Sequence, residues 1–500
     1  MDLQDLTRRL SQKLEGYEKH IKPRVTGVVQ QCNDDVLFAE GLSDVSYGEL
    51  IKIGGSFALV LNLEQNLVGA VVLNSSDQIN AGDTVVATGH VMDIGVSFEL
   101  LGRVINPLGT PIDNKGTYGI EKYYPLEAEA PPIIRRGKVN EPLHTGIMAI
   151  DSMIPIGKGQ RQLIVGDRQT GKTAIAVDAI LNQKDKDVIC VYVAIGQKAS
   201  SIAKIVRKLE ESNALAYTVV VCSSADDSAT MQYLAPYTGC AIAEYFMHKG
   251  KDVLIVYDDL TKHAIAYRTL TLLLKRPSGR EAFPGDIFYT HSRLLERAAK
   301  LGKEMGGGSI TAIPIIETQM GDIASYIPTN VISITDGQIF LDTELFNSGI
   351  RPAINVGLSV SRVGGNAQYP AMKKVSGKLR LELASYRELA SFSQFMSDLD
   401  AETVKVLKRG EMLSQGLKQS QFSPIPFEVQ VVCLYILTNE LIEWDGRQSL
   451  EDRLKEVTRF IKRNFPDILG QIRQSKELSE EAAKRIEHAV AEFERAKGAQ

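Results

Sequence analysis

The stretch that decides the fold of this chain is Gly166-Asp167-Arg168-Gln169-Thr170-Gly171-Lys172-Thr173. It follows the apolar run Leu163-Ile164-Val165 and leads into a helical pattern over 174–181. A glycine-flanked loop between a strand and a helix can surround a polyphosphate with backbone N–H groups and the positive end of the helix. Lys172 would supply a charge for the outer phosphates, and the Thr173 hydroxyl is placed to bind Mg²⁺. The pattern therefore predicts a nucleoside triphosphate site rather than a chance glycine-rich turn.

Apolar strands alternate with helical patterns around this loop. Continuous apolar runs at 188–194, 217–222 and 253–257 predict parallel strands that are covered by helices on both faces. Ligands of such sheets bind at the carboxyl ends of the strands. Asp258 and Asp259 follow the third run, and a carboxylate there can hold the water shell of Mg²⁺. Asp258 is the favoured magnesium residue, and the alternative is an ordinary aspartate at a strand end.

Gln197 follows the first of these apolar runs. A carboxylate at this position could polarise an attacking water, but the side chain here is a neutral amide. Glutamine orients water in some nucleotidases, so the residue favours slow or absent hydrolysis without proving it.

The segment before the phosphate loop has a different period. Six short runs between residues 24 and 94 alternate apolar and polar residues and are separated by turn residues, which predicts a small closed barrel. Such a barrel could bind an oligonucleotide. Few of its strands carry interleaved basic and aromatic residues, so a structural collar is the favoured interpretation.

The two ends of the chain are predicted to be helical. Leucines 3, 6, 10 and 14 recur at helical spacing, and this short amphipathic helix packs either on its own domain or on another subunit. Apolar residues recur at the same period from 379 to 395, and 428–443, 450–464 and 478–497 also have helical patterns. Four segments result: an N-terminal helix (1–23), a β-barrel collar (24–95), a P-loop nucleotide-binding domain (96–371) and a C-terminal helical domain (372–500).

Composition excludes several classes of protein. A net charge of −4 disfavours a dedicated nucleic-acid binder. The five cysteines are far apart and mostly within apolar runs, which predicts buried thiols rather than disulfides or a zinc site. No segment reaches the ~20 apolar residues that a membrane span needs. The sequence predicts a soluble chain whose membrane association comes through partners.

Several long runs carry a resemblance that extends over essentially the whole chain. They include the phosphate loop with its Asp-Arg-Gln-Thr filling, Tyr257-Asp258-Asp259-Leu260 and the segments 279–286, 327–338 and 351–365. With these runs the chain resembles the alpha subunits of F-type ATP synthases, including Gln197 where the beta subunits carry a glutamate. The resemblance implies alternation of three alpha and three beta subunits around a gamma central stalk, ATP or ADP with Mg²⁺ in the alpha site, and catalysis mainly in beta.

The same resemblance assigns individual residues. Arg362 matches an arginine that reaches into the neighbouring beta site, where a guanidinium from the adjacent chain would stabilise phosphoryl-transfer charge. Without the resemblance, a surface ion pair would be the simpler role for Arg362. The segment 284–286 resembles a loop beside the central stalk, and the N-terminal helix is expected to meet the delta peripheral-stalk subunit. The family positions around the nucleotide are matched by Arg168, Gln169, Phe346, Arg351, Gln419 and Gln421.

The expected protein is thus a multidomain, largely non-catalytic nucleotide-binding subunit of a rotary ATP synthase that is driven by an ion gradient. It would lie on the cytoplasmic face of a bacterial plasma membrane through other subunits, with a plastid thylakoid as the alternative, and the coupling ion is open. One rival is a hexameric RNA motor, which needs a basic, aromatic barrel face. Another is a homohexameric secretion ATPase, which should carry a glutamate at position 197.

Overall fold

The computed structural model of this chain describes residues 25–74, 79–393, 400–444 and 448–498. The predicted N-terminal helix (1–23) lies outside these residues. The chain divides into two compact units, Met1–Met92 and Asp93–Gln500.

The first unit holds a closed β-barrel. Its antiparallel strands follow the order β1-β2-β5-β4-β3-β6, and Val36 pairs with Val71 while Ile51 pairs with Ala58. Apolar side chains at alternate positions, among them Leu37, Ile51 and Val60, fill the interior. The predicted barrel and its two-residue period are confirmed. The strands are β1 Thr26–Asn33, β2 Val36–Glu40, β3 Glu49–Ile53, β4 Ser56–Leu63, β5 Val68–Asn74 and β6 Thr84–Val91.

A mostly parallel sheet forms the centre of the second unit. Its order is β16-β15-β10-β14-β13-β11-β12-β8, and only β16 runs antiparallel to its neighbour within the described residues. A separate two-stranded antiparallel sheet pairs β7 with β9, and the proposed domain boundary at residue 95 falls inside β7. The strands are β7 Asp93–Val96, β8 Val104–Ile105, β9 Lys122–Pro125, β10 Leu163–Gly166, β11 Val188–Gln197, β12 Thr218–Ser224, β13 Asp252–Asp258, β14 Ser309–Glu317, β15 Gly337–Leu341 and β16 Val360–Ser361.

Helices cover this sheet on its faces. The strands β10, β11 and β13 are buried along nearly their whole length, as continuous apolar runs predict. The helices are α1 Met148–Met153, α2 Lys172–Leu181, α3 Ala199–Glu211, α4 Ala229–His248, α5 Leu260–Leu273, α6 Ile287–Leu295, α7 Tyr326–Ile334 and α8 Thr343–Asn347.

The C-terminal part of the second unit is helical, as predicted, and it shares one hydrophobic core with the sheet. The helix predicted over 428–443 is wrong at its end: it stops at Thr438, because Glu440 has a φ of 53° and leaves the helical region. None of the described helices combines the length and apolarity that a bilayer crossing requires. The helices are α9 Pro370–Ser376, α10 Leu379–Ser393, α11 Ala401–Gly416, α12 Phe427–Thr438, α13 Leu450–Asn464, α14 Pro466–Ser475 and α15 Glu480–Gly498.

The cysteines are free thiols in the structure. Cys190, Cys222, Cys240 and Cys433 are buried, while Cys32 is half-buried. Burial raises the pKa of the Cys222 thiol to about 11, so this group is protonated at neutral pH. Free, mostly buried thiols are what the sequence predicts.

Candidate functional site

The phosphate loop lies between β10 and α2, at the carboxyl edge of the sheet. β10 pairs in parallel with both β14 and β15, so residues 167–171 emerge beside the ends of these two strands. The two glycines of the motif are required for different reasons. Gly171 has a φ of 96°, a left-handed conformation that glycine adopts without strain, whereas a Cβ on Gly166 would lie 2.7 Å from the Leu341 carbonyl oxygen. Gln169 is also left-handed, with a φ of 62°.

The Lys172 side chain is buried against the backbone of this loop. Its ammonium group donates to the Gly166 carbonyl oxygen at 2.8 Å and to the carbonyl oxygen of Asp167. Burial lowers the pKa of Lys172, although the carboxylates of Glu317, Asp259 and Asp258 act in the opposite direction. A cation at this position can meet the outer phosphates of a nucleotide.

Asp167 anchors the loop to the neighbouring strands. Its carboxylate accepts hydrogen bonds from the Thr318 hydroxyl at 2.7 Å, the Gly321 N–H at 2.9 Å and the Thr343 hydroxyl at 2.9 Å. Burial alone would raise the pKa of Asp167, but these bonds and nearby Lys172 lower it. Asp167 therefore stabilises the loop as an anion.

The other residues of the loop have different surroundings. Arg168 is 81% exposed in its side chain and forms an ion pair with Glu317 at the end of β14. Gln169 is exposed, whereas Thr170 is buried and its hydroxyl donates to the Asp167 carbonyl oxygen at 2.8 Å. Thr170 thus belongs to the buried part of the loop, whereas the side chains of Arg168 and Gln169 face solvent.

The structure brings Thr173 and Asp258 together. The Thr173 hydroxyl donates to Asp258 Oδ2 at 2.7 Å, and Asp258 is only 2% exposed. Asp259 points elsewhere, because its Oδ1 accepts the Lys262 N–H at 2.8 Å and caps α5. Burial, reinforced by the neighbouring Asp258, raises the pKa of Asp259 to about 7. A hydroxyl and a carboxylate side by side are the hard oxygen ligands that Mg²⁺ prefers, so these residues fit that ion.

Gln197 also contacts Asp258. Its Nε2 donates to Asp258 Oδ1 at 2.9 Å and lies 3.3 Å from the Asp258 carbonyl oxygen. The neutral side chain of Gln197 thus directly contacts Asp258, the residue that is predicted to bind Mg²⁺.

A cavity of about 530 Å³ continues from the phosphate loop. Of the six residues that the resemblance places around the nucleotide, four line this cavity together with Thr170 and Gly171, and Arg168 and Gln169 are not among its lining residues. The Arg351 guanidinium lies 4.3 Å from the centre of the Phe346 ring, so it covers one ring face. Besides Thr170 and Gly171, the cavity is lined by Ile147, Ala174, Ile175, Asp178, Phe346, Gly349, Arg351, Pro352, Ala353, Lys418, Gln419, Ser420, Gln421 and Glu451.

Gln419 and Gln421 differ in what their side chains can do. The Gln419 amide is buried and bound to backbone groups: it donates to the Gly146 and Ser423 carbonyl oxygens at 2.8 and 2.9 Å and accepts the Met148 N–H at 3.1 Å. Gln421 is exposed. Gln419 therefore shapes the cavity wall, and Gln421 is the amide that is free to turn toward a ligand.

Arg362 lies apart from this cavity. It follows β16, and its backbone N–H donates to the Asp336 carbonyl oxygen at 2.8 Å. Its side chain is exposed, and within the described part of the chain no hydrogen bond or ion pair engages the guanidinium. Arg362 is also absent from the described residues that line the cavity. The residues predicted from the sequence thus lie around the phosphate loop and the cavity, with the exception of Arg362.

Two residues of this site were missed by the sequence analysis. Tyr192, in the middle of β11, donates its hydroxyl to Asp258 Oδ2 at 2.8 Å. Asp178, on α2, lines the cavity, and its Oδ2 accepts the Phe422 N–H at 3.1 Å. Both stand within apolar patterns that give no local signal. Only the parallel pairing of β11 with β13, which sets Ala194 beside Asp258, could have pointed to Tyr192.

Family models match three consecutive parts of the chain. Residues 24–89 match the β-barrel domain of the ATP synthase alpha/beta family, residues 146–361 its nucleotide-binding domain, and residues 368–493 the C-terminal domain of the ATP synthase alpha/beta chain. These matches follow the order of barrel, parallel sheet and helices in the structure.

Curated relatives match over nearly the whole length. The ATP synthase subunit alpha of Caldanaerobacter subterraneus subsp. tengcongensis is 54% identical over 98% of this chain and 97% of its own. The proteins of the same name from Clostridium botulinum strain Eklund 17B and Clostridium acetobutylicum are 55% and 54% identical over 98% of both chains. The relatives thus match this chain over nearly the whole length of both proteins.

Proposed function

Since this chain belongs to the ATP synthase alpha/beta family, among its alpha subunits, we propose that it is the nucleotide-binding, largely non-catalytic subunit of a rotary F-type ATP synthase. The complex would make ATP from ADP and phosphate with a transmembrane ion gradient, of protons or sodium. The chain would alternate with beta subunits around a gamma stalk and meet delta through residues 1–23. It would lie on the cytoplasmic face of a bacterial plasma membrane through other subunits, or on a plastid thylakoid.

One observation carries this proposal: the groups suited to a nucleotide are divided between a cavity and an exposed surface outside it. Lys172, Thr173 and Asp258 adjoin the cavity that Phe346 lines, while Arg362 stands outside it with its guanidinium exposed. A nucleotide in the cavity would be held by residues 166–173, with Phe346, Arg351 and Gln421 near its base. Arg362 cannot serve that nucleotide from its position, and a second nucleotide on a neighbouring chain gives it a role.

The neutral side chain at position 197 supports a non-catalytic site. Of the described side chains, Gln197 occupies the position for a water-polarising group, and an amide cannot accept the proton. Magnesium, held by Thr173 and Asp258, would neutralise phosphate charge. Arg362 would stabilise charge on the equatorial oxygens of phosphate in the adjacent beta site, and only while the interface is closed.

The proposal is tested by nucleotide binding and steady-state ATPase activity of the purified chain, alone and with cognate beta subunit. We expect the chain alone to bind ATP and to turn over negligibly, with activity that appears only when beta is added. Brisk hydrolysis by the chain alone would contradict the proposal and favour a homohexameric ATPase.

A further inference from the structure

The Asp258 carboxylate is held by three neutral donors. Oδ2 accepts the hydroxyls of Thr173 and Tyr192 at 2.7 and 2.8 Å, and Oδ1 accepts the Gln197 amide at 2.9 Å. Tyr192 is fully buried and Asp258 nearly so. Buried polar groups rarely go unpaired, yet satisfying this carboxylate does not require three donors that arrive from two elements, α2 and β11. The geometry fixes both the position and the rotation of the carboxylate.

The Gln197 side chain is committed to this one residue. Its nitrogen lies within hydrogen-bond distance of both the carboxylate and the carbonyl oxygen of Asp258, at 2.9 and 3.3 Å. Since both partners are acceptors, the amide nitrogen must face them, and the orientation of the amide follows from the network. An amide turned in this way directs its N–H groups at Asp258.

We propose that Gln197 and Tyr192 are positioning residues that hold Asp258 in the orientation in which it serves Mg²⁺. The inference rests on the proposed nucleotide site and adds a role that differs from orienting water. Groups behind a metal ligand fix its geometry, and their loss typically lowers metal affinity ~10- to 100-fold. Gln197 thus contributes to keeping a magnesium nucleotide rather than to hydrolysing it.

A glutamate at position 197 separates the two roles. In this geometry, its carboxylate would stand within 2.9 Å of Asp258 Oδ1, where an acceptor meets an acceptor and like charges repel. If the only effect of Gln197 is that the site has no base at this position, Gln197→Glu should introduce ATP hydrolysis. If Gln197 positions Asp258, the same change should also weaken the dependence of ATP binding on Mg²⁺.

The test is the Mg²⁺ dependence of ATP binding, measured by equilibrium dialysis of the full chain with radiolabelled ATP in Mg²⁺ or in EDTA. We expect Tyr192→Phe and Gln197→Ala each to reduce the ratio of the two affinities about tenfold, while affinity in EDTA stays unchanged. The matched control is Tyr217→Phe, which removes a hydroxyl that donates to the Ile180 carbonyl oxygen at 3.1 Å and should leave the ratio alone.

The same measurement in an Asp258→Ala background shows whether the two residues act through Asp258. There, Tyr192→Phe should have no further effect on the ratio, because the group it positions is gone. An unchanged ratio in Tyr192→Phe and Gln197→Ala would overturn the positioning role alone. A failure of the unsubstituted chain to bind ATP in either condition would overturn the nucleotide site and this inference with it.

Discussion

Lys172 and Arg362 are both cations that can bind phosphate, but they differ in burial and in their contacts. Lys172 is buried, and its ammonium donates to two carbonyl oxygens of its own loop. Arg362 is exposed on the segment after β16. A buried cation that is held by its own loop suits a site that this chain builds alone. An exposed guanidinium on a short, well-anchored segment suits a site that another chain completes.

The largest effect should follow from Arg362→Ala. Turnover of the assembled complex should fall by ~10³-fold or more, because a guanidinium from the adjacent chain stabilises transition-state charge. ATP binding by this chain should stay unchanged, since Arg362 lies outside the cavity. Steady-state ATPase of complexes with beta checks the first expectation, and dialysis of the chain alone checks the second.

The control for this prediction is Arg362→Lys. It keeps the charge and loses the planar fork, so most of the activity should still be lost. Unchanged turnover in Arg362→Ala would remove the contrast between the two cations.

A smaller effect, on ATP binding rather than on turnover, is expected for Lys172→Ala. Affinity of the chain alone for ATP should fall roughly 100-fold, because a charge-assisted contact with phosphate is lost. Turnover of the complex should fall far less than in Arg362→Ala. The control is Lys251→Ala, which removes a surface lysine that pairs with Asp187 at 3.0 Å and should bind ATP normally. Equal affinities in the two variants would mean that the loop does not hold the phosphates.

Asp178 tests the cavity wall through pH. Burial raises the pKa of Asp178 from 3.8 to about 6, despite the hydrogen bond from the Phe422 N–H. Because the folded-state value is the higher one, the stabilisation is present below pH 4 and is lost as pH rises through 6. Asp178→Asn has no such loss. Its free energy of unfolding relative to the unsubstituted chain should therefore rise by about 2 kcal/mol between pH 4 and pH 8.

Urea denaturation of both proteins at each pH measures this difference. The amide can still accept the Phe422 N–H through its oxygen, so the substitution keeps the contact and removes the charge. A difference in stability that does not vary with pH would show that Asp178 is not a buried acid with a raised pKa.

The smallest effect is expected at the base. Phe346→Ala removes a ring that lines the cavity, and stacking on a base is worth ~1–3 kcal/mol. Affinity of the chain for ATP should fall about tenfold, and Phe346→Tyr, which keeps the ring, should bind normally. Binding by dialysis distinguishes the two. A loss in both variants, or in neither, would speak against a base at this ring.

Residues that lie in regular patterns were predictable from the sequence. The barrel, the parallel strands and the phosphate loop follow from periods of two, from continuous apolar runs and from the glycine spacing around Lys172. Asp258, which the sequence favours over Asp259 as the magnesium residue, is the one that contacts Thr173. These features depend on neighbours in the chain, which a sequence displays.

Features that depend on three-dimensional contacts were not predictable. Tyr192 meets Asp258 because β11 and β13 pair in one register, and Phe422 meets Asp178 because a C-terminal loop folds back onto α2. The helix expected to reach residue 443 ends at Thr438, where backbone geometry decides and the apolar pattern does not. The sequence around Arg362 gives no local signal of a role in a neighbouring site, and only the family resemblance singled this residue out.

The most direct test of the division between the two cations follows the fate of ATP bound to this chain. The chain is loaded with γ-labelled ATP, assembled with beta and gamma, and given unlabelled Mg²⁺-ATP while free labelled phosphate is measured. We expect the label to remain as bound ATP through many turnovers of the complex. Release of labelled phosphate at the rate of bulk turnover would contradict this, because it would place catalysis in the cavity of Lys172 itself.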